Sequence, residues 1–235
     1  MSVERTKQIA IALAGEVLKG PDGRLCSACA EIVSVAGAGI SIMTVDHSIR
    51  MCVSNQRMDT LEDLQFTLGE GPCQDAYSSG TPLLVPDLDH MAVARWPAFI
   101  TEAARVGVRA VFAYPMKYQR STLGVMTLYQ DHPGSLSETQ RADCMALSEV
   151  LAKTVLNLIA SSPPDALSPP LDDAIAQRAE VHQAAGMASV QLGVSVGEAL
   201  VVMRAHAYAN GKPLHVVAAD IVHRRLRLDS HGTDR

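Results

Sequence analysis

The sequence predicts an α+β domain, an antiparallel sheet flanked by helices, followed by a small all-α domain of three helices. Three observations carry that expectation. Helix and strand signals alternate through residues 1–160, and neighbouring strand signals are close enough in sequence to form hairpins. The stretch Ser161 to Pro170, "SSPPDALSPP", then interrupts the pattern, because proline removes a backbone donor and restricts the residue before it. From Asp172 to Leu228 the chain shows only short helical patterns. The expected organisation is a domain at 1–160, a semi-rigid linker at 161–170, a helical domain at 171–228 and a tail at 229–235.

The elements follow in order. Glu4 to Leu18 is amphipathic, with Ile9, Leu13 and Val17 on one face, and the "GPDG" beginning at Gly20 ends it. Arg24 to Ala36 reads as a second helix. "AGISIMTVD" has strand alternation at Ile40, Ile42 and Thr44, and "IRMCVSN" is its expected hairpin partner. A short helical stretch leads to "FTLGEGPCQDAYSSGTPLLVPDL", then to the helix "RWPAFITEAARVG". The strands "VRAVFAYPM" and "LGVMTLYQD" are joined by "KYQRST". Ser137 and Gln140 have the S-x-x-Q form of a capping box and open a helix to about Ala160. Its stripe of Cys144, Leu147, Leu151, Thr154 and Leu158 suits packing on its own domain, a seam with a second copy, or both on different faces. In the last segment, Ser195 and Glu198 form a second capping-box pattern, and Asn210-Gly211 ends that helix. Ala184, Met187, Ala199, Met203, Ala207, Val217 and Ile221 are spaced for an interhelical core.

Composition narrows the function classes. Hydrophobic content is 48% and charged content 19%, ordinary for a folded domain, and only 4% is aromatic. No apolar run approaches the roughly 20 residues that span a bilayer, and the N-terminus lacks a signal-peptide core, so no membrane partner and a cytoplasmic location are expected. Five cysteines without a framework spacing point to free thiols in a reducing compartment. Cys26 and Cys29 form a lone C-x-x-C on a helical pattern. They fit small core residues better than a redox or zinc pair, which would need further ligands, and no metal is expected. Net charge is −5, yet residues 172–228 hold six Lys/Arg against five Asp/Glu, so the last segment is the least acidic part. The motifs of nucleotide-binding loops, nucleophile elbows and zinc proteases do not occur, and Asp87 and Asp89 fit turn residues, so no catalytic residue, no cofactor and no enzyme activity are expected.

The "LGEGP" turn at Leu68–Pro72 feeds a short helix at Cys73. It reads either as a connecting loop or as a cradle where helix N–H groups hold an anionic ligand group. Cys73 at that helix start fits a packed thiol better than a redox-sensitive one.

Two resemblances sharpen these readings. "LGEGPCQDAYSSGTPLLVPDL" with "RWP", "GVRAVFAYPM" and "LGVMTLY" resembles the GAF domain over roughly residues 5–160. "VHQAAGMASVQLGVS", "EALVVMRAHAYANGK" and "PLHVVAADIVHRRL" resemble the ANTAR domain, an RNA-binding module. Together they are similar to actinobacterial GAF and ANTAR domain-containing transcription antitermination regulators. The first resemblance implies an unknown small-molecule ligand between sheet and capping loops, with Gly69, Glu70, Gly71, Cys73 and Tyr114 as candidate ligand-binding residues. The second implies RNA as partner, as tandem stem-loops in nascent leader transcripts, bound by a homodimer. The candidate RNA-binding residues are Arg178, His182, Gln183, Arg204, Asn210, Lys212 and Arg224. Arg and Lys would contact phosphates; Gln, Asn and His would read loop bases. Many such sequences carry Lys where this chain has Ala185, which implies altered or reduced RNA affinity. Two alternatives stand beside this one: a helical protein-interaction module, and a GAF-fold thiol redox enzyme in which Cys52 and Cys73 converge.

Overall fold

The computed structural model describes residues 3–17, 24–43, 48–91, 95–161 and 169–228. A five-stranded antiparallel sheet has the order β2-β1-β5-β4-β3, formed by β1 (Gly37–Met43), β2 (Ser48–Val53), β3 (Leu83–Val85), β4 (Ala110–Tyr118) and β5 (Ser121–Gln130). β1 and β2 pair as the expected hairpin, with Ile40 opposite Cys52 and Ile42 opposite Ile49. The expected "KYQRST" connection is shorter than it reads. β4 and β5 extend into it, leaving Gln119-Arg120 as the turn, with Gln119 at φ 54°.

Helices cover both faces of the sheet. On one face α1 (Val3–Val17), α2 (Leu25–Val33) and α6 (Glu138–Ser161) enclose Ala38, Ile40, Phe112, Tyr114, Met126 and Leu128. The stripe on α6 points into this core: Cys144, Leu147 and Leu151 are fully buried there, while the Leu158 side chain lies outside the described residues. On the other face lie α3 (Gln56–Leu68), α4 (Pro72–Ser79) and α5 (Pro97–Arg105), over Val111, Ala113, Val125 and Tyr129.

Local chemistry sets the helix ends. Asn55 caps α3, its side chain accepting from Met58 N at 2.9 Å, and Gly69 ends that helix at φ 66°. Both halves of the capping box at α6 form. Ser137 N donates to Gln140 Oε1 at 2.9 Å, and Gln140 N donates to Ser137 Oγ at 3.2 Å.

The C-terminal helices are α7 (Pro169–Leu192), α8 (Val196–Ala209) and α9 (Leu214–Val222). Of the expected linker 161–170, Ser161 ends α6 and Pro169-Pro170 open α7, and residues 162–168 lie outside the described residues. α7 opens on Pro169-Pro170, at a helix start where a missing N–H costs little. The three helices pack around Ala184, Ala185, Ala199, Met203, Ala207, Val217 and Ile221, with Met187 at the margin. The α7–α8 bend is 102°. Among the described residues no single helix is long and apolar enough to cross a membrane.

The capping box at α8 is complete: Ser195 N donates to Glu198 Oε2 at 2.9 Å and Glu198 N to Ser195 Oγ at 3.3 Å. Hydrogen bonds from the Ser195 side chain and backbone hold the Glu198 carboxyl below its ordinary 4.5. A depressed carboxyl pKa stabilises the fold above the ordinary value, and that contribution disappears as pH falls through the lower folded value. Helicity of the C-terminal segment should therefore hold from neutrality to about 5 and weaken below 4.5, whereas Glu198→Gln should be less stable near neutrality and flatter through this window. Circular dichroism during acid titration of both proteins checks this.

Candidate functional site

The "LGEGP" turn is a junction of three helices. Gly69 closes α3 in the left-handed region, and Gly71 precedes α4 at φ 131°, both conformations that favour glycine. Glu70 does not face a free pocket. Its Oε1 accepts from Ala98 N at 2.9 Å and Phe99 N at 2.8 Å, capping α5, whose own N-cap residue Trp96 offers no side-chain bond. The first turn of α4 is likewise partnered, since Cys73 N donates to Gln65 Oε1 at 2.7 Å. Removing the Glu70 carboxylate should cost about 1–2 kcal/mol of domain stability, as for lost helix caps in general, and Glu70→Gln should cost less than Glu70→Ala. Denaturant unfolding of the two variants measures the difference.

The sheet divides the candidate ligand residues. Cys73 is buried with Met43, Ala76, Ala113 and Val125 beneath α4, its Sγ 3.7 Å from Met43 Sδ. Tyr114 projects from the opposite face into the core of α1, α2 and α6. Burial and the neighbouring Cys144 push its hydroxyl pKa up. Polar groups that the sequence reading missed lie on the Cys73 face: Ser41 Oγ donates to Glu62 Oε2 at 2.8 Å, and Gln65 Nε2 and Thr127 Oγ1 are buried without partners among the described residues. Ser41 and Thr127 were hidden in strand runs that read as apolar.

The cysteines correct one expectation. Cys26 is not a free core thiol. It is bridged to Cys52, with Cα atoms 5.9 Å apart, so α2 is tied to β2, and Cys52 does not converge with Cys73. Cys29, Cys73 and Cys144 lie outside the disulfide as buried thiols. Burial pushes the Cys29 and Cys144 thiols up to about 12.

In the helical bundle, Gln183 and Arg224 are exposed, and His182 is half-buried. Asn210 is exposed and its Nδ2 donates to His206 O at 2.9 Å. The Arg178 side chain lies outside the described residues. Lys212 is exposed and lies 3.8 Å from Asp220. Ala185 is buried in the bundle core, so a longer side chain there would have to reach past α8 or α9 to water. Arg204 flanks the buried Ala199–Met203–Ala207 stripe and turns toward the N-terminal half, where its guanidinium lies over Gly69. Phe66 on α3, Glu102 on α5 and Tyr208 on α8 join the same seam. Phe66 could have been suspected, because it lies off the Met58–Leu61–Gln65 stripe that α3 buries.

This arrangement is that of an α+β domain carrying a small helical domain. Residues 21–159 match the GAF domain family and residues 171–222 match the ANTAR domain. The chain belongs to the GAF domain family. Both matches are to regulatory domains. No curated protein matches the chain. Among solved structures, the GAF domain of a phosphoenolpyruvate-protein phosphotransferase from Coxiella burnetii is 17% identical, with TM-score 0.53, over 68% of this chain and 98% of that one. The GAF domain of the Acinetobacter phosphoenolpyruvate-protein phosphotransferase is 13% identical, with TM-score 0.50, over 70% of this chain and 100% of that one. At these identities the likeness establishes the fold alone.

Proposed function

We propose that the protein is a signal-responsive, RNA-binding transcription antiterminator. Residues 1–160 sense a small molecule, 161–170 connect, and 171–228 hold paired stem-loops in a nascent leader so that the terminator hairpin does not form. The observation that carries this reading is the three-helix bundle in the ANTAR-matched segment, with Arg204 and Lys212 on its α8 side. Arg204, Lys212, Arg178 and Arg224 would take phosphates, while Gln183, Asn210 and His182 would read loop bases. The buried polar groups around Ser41, Glu62, Gln65 and Thr127 support a ligand on the face of Gly69, Glu70, Gly71 and Cys73, with Tyr114 acting only through the sheet. We read the protein as a cytoplasmic homodimer and not an enzyme. Exposed Ile11 on α1 and Met145 on α6, two helices packed together, support a seam with a second copy.

The test is binding of the full chain to a labelled tandem stem-loop RNA from its own leader, titrated with salt. Affinity should fall with salt, and an Arg204→Ala/Lys212→Ala double variant should lose at least about tenfold and flatten the salt slope by about 1–2. A second reading, a helical protein-interaction module, is favoured by Val190 and Val201, which are 85% and 61% exposed. Unchanged RNA binding in the double variant, with loss of partner binding on Val190→Ser/Val201→Ser, would select it.

A further inference from the structure

The seam between the two halves has an uneven chemistry. Phe66 of α3 packs into the C-terminal core. The Tyr208 hydroxyl donates to Glu102 Oε1 at 3.3 Å. Arg204 fills the space that Gly69 leaves, since a Cβ at Gly69 would lie 2.6 Å from Arg204 Cζ. Among the described residues Arg204 Nε is closed to solvent without a hydrogen-bond partner, and the guanidinium has no ion pair. A guanidinium does not shed its proton, so this is a cation partly withdrawn from water without a counter-charge, an unfavourable state. Beside it a groove of 610 Å³ stays open between Thr67, Leu68, Glu102, Tyr208, Lys212 and Pro213. The α3–α8 part of the seam is therefore loosely filled and electrostatically costly, while α7 packs on β2 beside it. In the separated state Arg204 regains water, or a phosphate.

We propose that this seam is an autoinhibitory contact: the sensor half docks the helical bundle so that Arg204 is hidden from RNA, and the Gly69 turn is its release point. The proposal rests on the RNA reading above and adds its regulation. One turn bears on both the Arg204 and the Tyr208 contacts. Gly69 seats Arg204, and Glu70 caps α5, the helix that presents Glu102 to Tyr208. A ligand that re-seats the turn would move both together. RNA phosphates and the sensor half compete for the same guanidinium, so RNA binding and docking exclude each other.

The experiment uses the full chain with substitutions on the sensor side only. Phe66→Ala removes the packed ring. Thr67→Arg places a cation beside Lys212, in a groove with room for it, and keeps the proposal testable where Phe66→Ala fails to fold. Hydrogen exchange in α3 and α8 reports docking independently of RNA, and affinity for the tandem stem-loop RNA reports masking. Both variants should exchange faster at the seam and bind RNA about tenfold more tightly, for a docked state favoured about ten to one. Arg204→Met, which keeps the stem and removes the charge, should slow exchange at the seam. Faster exchange with RNA affinity equal to that of the unaltered chain overturns the masking and leaves the RNA reading standing. A seam loosened by Arg204→Met overturns the strained-cation argument. No RNA binding by any form, with the seam shown open, overturns the RNA reading and the masking with it.

Discussion

Reducing the Cys26–Cys52 bridge should lower the unfolding free energy of the sensor domain by about 3 kcal/mol, the size expected for closing a loop of intermediate length. The bonded residues are 26 apart in sequence and link α2 to the edge strand β2. Breaking the bond restores that loop's freedom to the unfolded chain while the folded packing stays. Denaturant unfolding with and without a phosphine reductant measures the effect. The Cys52→Ala protein is the control, because it should show one stability under both conditions. A wild-type midpoint unmoved by the reductant would contradict the prediction. The bond also bears on compartment. In a reducing cytoplasm Cys26 and Cys52 would be free thiols, and the domain would work at the lower stability.

The same bond shows where sequence reading stops. α2 was legible from its apolar spacing, and β2 from its position after β1, but their approach is set by how the helix lies on the sheet, which no local pattern encodes. Capping boxes were legible because both partners sit within one turn: Ser137 with Gln140, and Ser195 with Glu198. Glu70 was visible as part of a distinctive turn, yet its partners Ala98 and Phe99 are 28 and 29 residues away, so its capping role was not. The face that Tyr114 takes was hidden for another reason. β4 is buried on both faces from Ala110 to Met116, so alternation gives two sets of residues without saying which set faces α6 and which faces α4. Arg204 was legible as a cation on a helix. The neighbour it leans on was not, because that depends on α3 meeting α8.

Gly124→Ala should destabilise the sensor domain by about 3 kcal/mol, toward the upper end of the usual cost of overpacking. Gly124 lies in β5 between Ile42 of β1 and Met116 of β4, at the middle of the sheet. A Cβ there would run into the backbone oxygen of Ser41 and lie 2.9 Å from Ile42 Cα. Backbone atoms cannot rotate aside as a side chain can, so β1 must move away from β5 and lengthen ladder hydrogen bonds. The shift also displaces Ser41, whose hydroxyl holds Glu62 on the face that carries Cys73, so exchange should rise in β1 and α3 together. Gly186 on α7 supplies the opposite sign in the same chain. Nothing lies within 4 Å of a Cβ built there. Gly186→Ala should therefore stabilise the helical bundle by about 0.5–1 kcal/mol, through reduced freedom of the unfolded chain. Denaturant unfolding of the two variants separates the effects, and equal shifts of one sign would show that neither glycine is kept for the space around it.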